Sequence, residues 1–446
     1  MKNFLVLTLS LLLTAPAYAQ WASLNAPIGE SAPSAPQEKG GSEFDFSLGG
    51  NFGAASVLNP RTGKMEIYNT ISFQPELSFG KLGLGLDLYI YFDADGKLRD
   101  EDWDTTSDII SKIWYVRWAQ KGDPIHARLG GLSGTTIGHG LIMGNYSNRL
   151  GYPDVRKVGG VLDVDAGWAG FESVVTDVIR PTIIGGRVFA RPLYGSDIPL
   201  LKNLSFAASA VTDTDPDGFS QTKSDEVSVY GVDLDLPLLK NDAFSSVLYA
   251  DAAMMQLGKR YTAAGSKNHG KGAAAGVQGK VLFFDYKAEM RSTQANFIPT
   301  FFDSYYEVDR ATGSIRKADG IVTTANPQAN GPLVSLYANI LERVRVGGSY
   351  ESLSYDPLDI FPRVRAEIRT DPRLLFDRFY VAAAYEQRNL EMIKRIGRTQ
   401  DSNTLITAEI GYKPNPNLAL VVVQKQTYDR SGRPERTTQV RADVRF

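Results

Sequence analysis

The 446-residue chain contains no cysteine. A thiolate nucleophile, a cysteine metal site and a disulfide framework are therefore excluded. Histidine is nearly as scarce, with only His126, His139 and His269, which leaves little material for imidazole catalysis or metal ligation. An excess of one charge is also missing. The 48 Lys and Arg stand against 50 Asp and Glu, which excludes the broadly basic surface of a general nucleic-acid binder. Beyond residue 20 no apolar run approaches the length of a membrane-spanning helix. If this chain crosses a membrane, it crosses as strands.

Residues 1–19 supply that one apolar run. Lys2 precedes Phe4-Leu5-Val6-Leu7 and Leu11-Leu12-Leu13, and Ala17-Tyr18-Ala19 follows. A short apolar core ending on A-x-A predicts a secretory signal peptide cleaved before Gln20. Residues 20–42, rich in Pro, Ala and Ser, cannot bury enough surface to order themselves and read as a flexible periplasmic lead-in.

What is present in quantity is aromatic residues and glycine: 21 Tyr, 21 Phe and 42 Gly, at a mean hydropathy of −0.20. Such a combination fits a barrel, because polar lumen-facing residues cancel lipid-facing apolar ones in the average. From residue 43 onward apolar residues alternate with polar ones. The clearest stripe is Leu82, Leu84, Leu86, Leu88, Ile90 and Phe92, eleven residues that suit a tilted bilayer crossing. At the end of the chain Val440, Ala442, Val444 and Phe446 alternate with Gln439, Arg441, Asp443 and Arg445.

This ending resembles the terminal strand of bacterial outer-membrane β-barrel proteins, in which an aromatic last residue is read during insertion. The resemblance implies an outer-membrane location, lipids and lipopolysaccharide as surroundings, and the barrel-assembly machinery as a partner of the C-terminal strand. Connections alternate between tight ones, such as 120–123, 371–373 and 413–417, and long ones at 93–111, 134–158, 213–225, 258–270, 295–331 and 389–402. That sorting puts short turns on the periplasmic side and long loops outside. The predicted fold is all-β: a transmembrane antiparallel β-barrel of 16–20 strands over residues 43–446. One or two of its long extracellular loops fold inward, and no segment reads as a helix.

Alternation directs Arg343, Arg345, Arg363, Arg365, Glu367, Arg369, Arg441, Asp443 and Arg445 to the lumen, since a charge on the lipid side costs roughly 2–4 kcal/mol near the midplane. Two readings follow. The arginines form a cationic ladder that guides anions, or Glu367, Glu386, Glu409 and Asp443 pair with them and hold the wall together. The glycine-rich loop offers Gly138, His139, Gly140, Asn145, Tyr146 and Asn148 as a candidate constriction, and the aromatic run Phe297–Tyr306 is expected to fold inward and meet it. His139, Ser147 and Asn148 are the residue types of an outer-membrane phospholipase, but not in that family's spacing, so no enzyme is expected. Asp213-Thr214-Asp215-Pro216-Asp217-Gly218 opens like a calcium loop yet has Ser224 where a bidentate glutamate is needed, and reads as a solvated acidic loop. No metal or cofactor is predicted. The expected function is passive passage of small hydrophilic, perhaps anionic, solutes; the alternatives are a plugged barrel for hydrophobic molecules or a structural barrel presenting loops. No nucleic-acid partner is expected, and the oligomeric state is left open.

Overall fold

A computed structural model describes residues 44–58, 65–152, 155–198, 200–216, 218, 225–241, 243–259, 269–294, 296–311, 328–341, 343–355, 360–388, 404–428 and 434–445. The expected leader and lead-in, Asp217, Ser224 and Phe446 lie outside the described residues, as does the side chain of Arg445.

The strands are β1 (Phe44–Leu58), β2 (Met65–Phe79), β3 (Leu82–Leu86), β4 (Leu88–Phe92), β5 (Ile113–Trp118), β6 (Ile125–Gly130), β7 (Gly159–Asp165), β8 (Ala169–Val175), β9 (Ile183–Ala190) and β10 (Ser205–Asp213). They continue as β11 (Val227–Lys240), β12 (Phe244–Leu257), β13 (His269–Val281), β14 (Phe284–Thr293), β15 (Ala329–Ile340), β16 (Val344–Tyr355), β17 (Ile360–Thr370), β18 (Phe379–Gln387), β19 (Thr404–Asn415), β20 (Leu418–Tyr428) and β21 (Pro434–Arg445). Apart from β3 and β4, each pairs antiparallel with its chain neighbours, β5 pairing with β3, and β21 returns to β1, from Gly49 opposite Arg445 to Ala55 opposite Gln439. Both β3 and β4 pair with β2 in one register and are a single stave interrupted at Asp87, so the 21 segments make a closed barrel of 20 staves. Closure removes the free edges that an open sheet would present to lipid.

Alternation sorts the faces. In β3 and β4 the residues Leu84, Leu86, Leu88 and Ile90 are half-exposed outside, while Gly83, Gly85, Asp87, Tyr89 and Tyr91 are buried inside. Phe52, Leu248, Leu336, Ile410 and Val440 extend the outer apolar band around the barrel. Trp118 and Trp168 are exposed beside the short turns, at the level of an interfacial girdle, whereas Trp114, Tyr89 and Tyr91 pack inward. Leu336, 52% exposed near the middle of β15, tests the band. Leu336→Arg is expected to destabilise the barrel by roughly 2–4 kcal/mol, read from denaturant titration of folding into lipid vesicles.

Most long connections fall at one end and most short ones at the other, but the link between β17 and β18 on the short-turn side runs over 371–378, longer than the tight 371–373 expected. Residues 191–204, between β9 and β10, are long yet lie on the short-turn side, where Arg191 Nη1 donates to Asp165 at 2.7 Å and to the Gly167 carbonyl at 2.6 Å. Two short helices, Thr106–Ser111 and Tyr306–Ala311, stand in the long loops, against the expectation of none. Each has only six residues, too few for a periodic pattern to register.

Candidate functional site

The inner wall from β8 to β13 carries apolar residues where a water-filled lumen would have polar ones: Val174, Ile183, Val211, Val227, Val229, Met255 and Leu257 are all buried. Two inward loops cover them. The loop after β6 brings Leu132, Ile137, Leu141, Ile142, Met143 and Tyr146, and the loop after β14 brings Phe297, Phe301, Phe302 and Tyr306, into one core inside the barrel. Backbone hydrogen bonds join the loops, with Phe302 N donating to Ile142 O at 3.2 Å and Gly144 N to Phe302 O at 3.1 Å. The aromatic run thus meets the glycine-rich loop as expected. Its rings are consumed in the core and do not line the cavity below it.

Glycine is required where the first loop reverses. Gly138 has φ +55° and Gly140 has φ +88°, in the left-handed region that side chains avoid, and they flank His139. His139 is buried, stacked on Tyr249 with ring centroids 3.9 Å apart. Its Nε2 lies 2.8 Å from Asp235 and its Nδ1 2.9 Å from Asp251, and Lys287 Nζ donates to its carbonyl at 2.6 Å. Burial works to lower the imidazole pKa, but the contacts with Asp235 and Asp251 outweigh it and raise it to about 9. The ring is therefore an imidazolium at neutral pH. His139, Asp233 and Asp251 bring ligand-type atoms within 4.8 Å of one another. The cations of the chain already occupy that set, since both ring nitrogens face carboxylates and Arg187 holds Asp233 at 2.6 Å and Asp235 at 2.8 Å.

The other candidates in this loop divide in two. Gly138, His139, Gly140 and Asn145 face a cavity of about 760 Å³, while Tyr146 and Asn148 are buried behind it. Asn148 Oδ1 accepts from Leu132 N at 2.8 Å and its Nδ2 donates to Thr176 O at 2.7 Å, fixing the loop base. The Tyr146 hydroxyl donates to Glu307, which also receives Lys157. Burial, then Glu307, pushes the phenol well above its ordinary pKa and keeps it a donor. Farther along, Arg149 stacks on Trp114 at 3.6 Å, Tyr152 donates to Asp87 at the break between β3 and β4, and Lys425 reaches the Tyr152 carbonyl at 2.8 Å. The loop therefore spans the lumen from β11 and β12 to β4, β5 and β20.

The second loop is tied to the opposite wall. Ser304 Oγ donates to Glu386 at 2.9 Å, Arg363 bridges Asp303 at 2.9 Å, and Arg388 grips Asp309 at 2.8 and 2.9 Å. Asp213, expected in a solvated loop, is buried and accepts from Tyr306 Oη at 2.8 Å, with Arg310 3.7 Å away. The acidic opening anchors the Tyr306–Ala311 helix, and its carboxylate is committed to that contact. Arg291 links all three parts: it pairs with Glu289 and Glu351 on the wall and donates to Thr300 Oγ1 at 3.1 Å, and Thr300 donates on to Gly140 O at 2.8 Å.

The inward charges of the C-terminal strands are mostly paired. Arg345 meets Glu367 at 2.7 Å, Arg365 meets Glu367 at 3.2 Å and Glu386 at 3.1 Å, and Arg363 meets Glu386. Arg441 meets Asp443 at 2.7 Å and Glu409 at 3.5 Å. The wall-holding reading accounts for these. Arg369 is exposed near the periplasmic end, and Arg343 is exposed in the turn between β15 and β16, outside the strands, because Leu341 at φ +50° turns the chain there. Sequence reasoning missed Arg187 and Arg291, each a lone arginine at an inward register position. It also missed Arg117 and Arg128, which face each other across β5 and β6.

No family model and no curated protein matches the chain. Among solved structures, OccAB2 of Acinetobacter baumannii is similar at 10% identity over 91% of this chain and 99% of that one, with a TM-score of 0.37. The outer membrane protein OprD from Pseudomonas aeruginosa is similar at 9% identity over 90% and 94%, also at 0.37. CdiB from Acinetobacter baumannii reaches 6% identity over 90% and 60%, at 0.28. The closed barrel with its apolar outer band, girdle tryptophans and charged interior decides the class. The protein is an outer-membrane β-barrel of porin-like architecture. Identity and TM-score this low do not carry a substrate from one barrel to another.

Proposed function

We propose that the barrel passes small hydrophilic solutes, anions in preference to cations. The observation that carries this is the lining of the 760 Å³ cavity, which lies between the inward loops and the periplasmic turns. Ten Arg and Lys side chains line it against eight carboxylates, and the imidazolium of His139 adds to the excess. Low-dielectric walls focus such a residual field on the water between them, favouring one ion sign. Because most of the arginines are paired, the preference is modest, unlike that of an unpaired cationic ladder. The size of the space suits small organic solutes. A channel also fits the histidine and serine chemistry better than a hydrolase does. Ser147 is buried and accepts from Arg149 N at 3.2 Å, and both nitrogens of His139 are taken by carboxylates, so neither can activate the other.

Lipid and lipopolysaccharide are the expected surroundings of the outer band, and the diffusing solute is the expected ligand of the lumen. The test is a planar-bilayer recording of the refolded protein in a potassium chloride gradient. The expected reversal potential has the sign of chloride preference. A cation-selective or electrically silent barrel overturns the proposal.

A further inference from the structure

The outward apolar side chains of the C-terminal half continue the lipid-facing band down to Val281 on β13, Ile340 on β15 and Phe379 on β18. The periplasmic turns just beyond face water in an ordinary barrel, and turn residues are then small or polar. Three of these turns depart from that. Leu282 stands between β13 and β14, Leu341 between β15 and β16, and Phe376 between β17 and β18. Leu341 is 79% exposed and Phe376 87%, more than any other large apolar residue among those described. All three hold a left-handed backbone, with φ of +55°, +50° and +61°. Bulky side chains avoid that region, which glycine and asparagine enter readily.

The neighbours of these tips are amphipathic. Arg343 follows Leu341 by two residues and Arg378 follows Phe376 by two, and both arginines are exposed. Long cationic side chains at a bilayer edge lay their stems on apolar surface and hold the charge among headgroups. Phe283, beside Leu282, is also exposed and lies 4.3 Å from the Phe284 ring, while Phe379 meets Tyr412 of β19 at 4.9 Å. Elsewhere the rim is polar. The turns Gly80-Lys81 after β2, Gln120-Lys121-Gly122-Asp123 after β5 and Pro416-Asn417 after β19 hold no Leu, Ile, Val, Met or aromatic residue. The β5–β6 hairpin stands diametrically across the ring of staves from the β15–β16 hairpin. Residues 191–204 also expose Leu193, Ile198 and Leu200, but that link is drawn under the lumen, where Tyr194 lines the cavity.

We infer that the turns after β13, β15 and β17 are immersed in the phospholipid leaflet on the periplasmic side of the outer membrane, while those after β2, β5 and β19 stand clear of it in water. Continuity with the lipid-facing band names the occupant, since Leu341 directly follows Ile340 and Leu282 directly follows Val281. The spacing agrees. Neighbouring hairpins stand about 10 Å apart, two strand spacings. Single side chains so spaced around a convex rim offer no groove or flat patch to a folded partner, whereas fluid acyl chains close around each one. Lipid removes the apolar area of Leu341 and Phe376 from water and so offsets the unfavourable backbone that presents them. The leaflet thus reaches further along the barrel on one side than on the other. This holds whatever the lumen passes, because it concerns the outside of the rim alone.

The absence of native cysteine permits labelling at one site at a time. Leu282→Cys, Leu341→Cys and Phe376→Cys, with Lys81→Cys, Lys121→Cys and Asn417→Cys as the polar set, are spin-labelled in the full chain and refolded into vesicles of phosphatidylethanolamine and phosphatidylglycerol. Heat-modifiable migration in gels selects the folded protein, and because each tip is labelled separately a variant that misfolds removes one position and not the test. Oxygen concentrates among acyl chains and a water-soluble nickel chelate, present on both sides, stays out of them, so the ratio of their collision rates with the label reports its surroundings. That ratio is expected to be several-fold higher at positions 282, 341 and 376 than at 81, 121 and 417. Equal ratios at 341, 376 and 121 overturn the inference. Shielding of 341 and 376 from both reagents overturns it too: if it fades as the protein is diluted in lipid, the tips meet a second copy of the chain, and if it persists, they fold back on the barrel.

Discussion

Replacing Arg291 by leucine should destabilise the folded barrel by about 3–5 kcal/mol, because removing one partner of a buried ion pair leaves the other charges uncompensated. Arg291 is 3% exposed and stands between Glu289 and Glu351, themselves buried at 3% and 8%. Glu289 keeps Lys287 at 3.0 Å and the Tyr249 hydroxyl at 2.6 Å, so the loss falls mainly on Glu351 and on Thr300. The double variant Arg291→Leu with Glu351→Leu should recover much of the deficit, since a buried pair replaced by apolar groups is often neutral. Urea titration of folding into vesicles measures both. If the single variant unfolds at the parent's midpoint, Arg291 does not hold the wall to the loops.

The second large effect concerns His139. Its pKa is raised on folding from the ordinary 6.5 to about 9. A raised pKa means the folded state binds the proton more tightly. The stabilisation is therefore full below pH 6.5, declines between 6.5 and 9, and is gone above 9; a shift of this size corresponds to about 3 kcal/mol. Asp235, Asp251, Asp233, Tyr249, Lys287 and Arg187 surround the ring, and none of their contacts replaces the imidazolium between Asp235 and Asp251. The expected record is a channel quiet at pH 6, with openings to higher conductance that grow more frequent between pH 7 and 9.5. His139→Ala should show those openings already at pH 6, with the pH dependence between 6.5 and 9 removed. A variant that stays quiet at every pH would detach His139 from the control of the loop.

The barrel was legible in the sequence where the two faces meet different media. In β3 and β4 every outward residue is apolar and every inward one is Gly, Asp or Tyr, so the period of two is unmistakable. It weakens along β12, where Met254 points out and Met255 points in, because the inner face there is covered by the two loops instead of water. The inward direction of Arg363, Arg365 and Arg441 could be read from alternation, but their partners could not. Asp303 lies 60 residues before Arg363, in a loop whose path only the folded core determines, and Glu409 lies 32 residues before Arg441. Likewise the glycines around His139 announced an unusual turn, while Asp235 and Asp251 on two later staves gave no local sign of meeting it.

Tyr152 at the Asp87 break and His139 at β11 and β12 fasten one loop to opposite sides of the tube. A thin-walled cylinder resists stretching along its staves far better than it resists flattening, because its cross-section deforms by bending alone. A strut fixed at both ends makes the barrel stiff against lateral compression along that diameter, and the second loop, fastened to Asp213 on β10 and to Arg363 and Glu386 on β17 and β18, braces another across it. Changes in the lateral pressure of the surrounding lipid should therefore leave the cross-section at the level of the loops nearly unchanged and deform the barrel first towards the periplasmic turns.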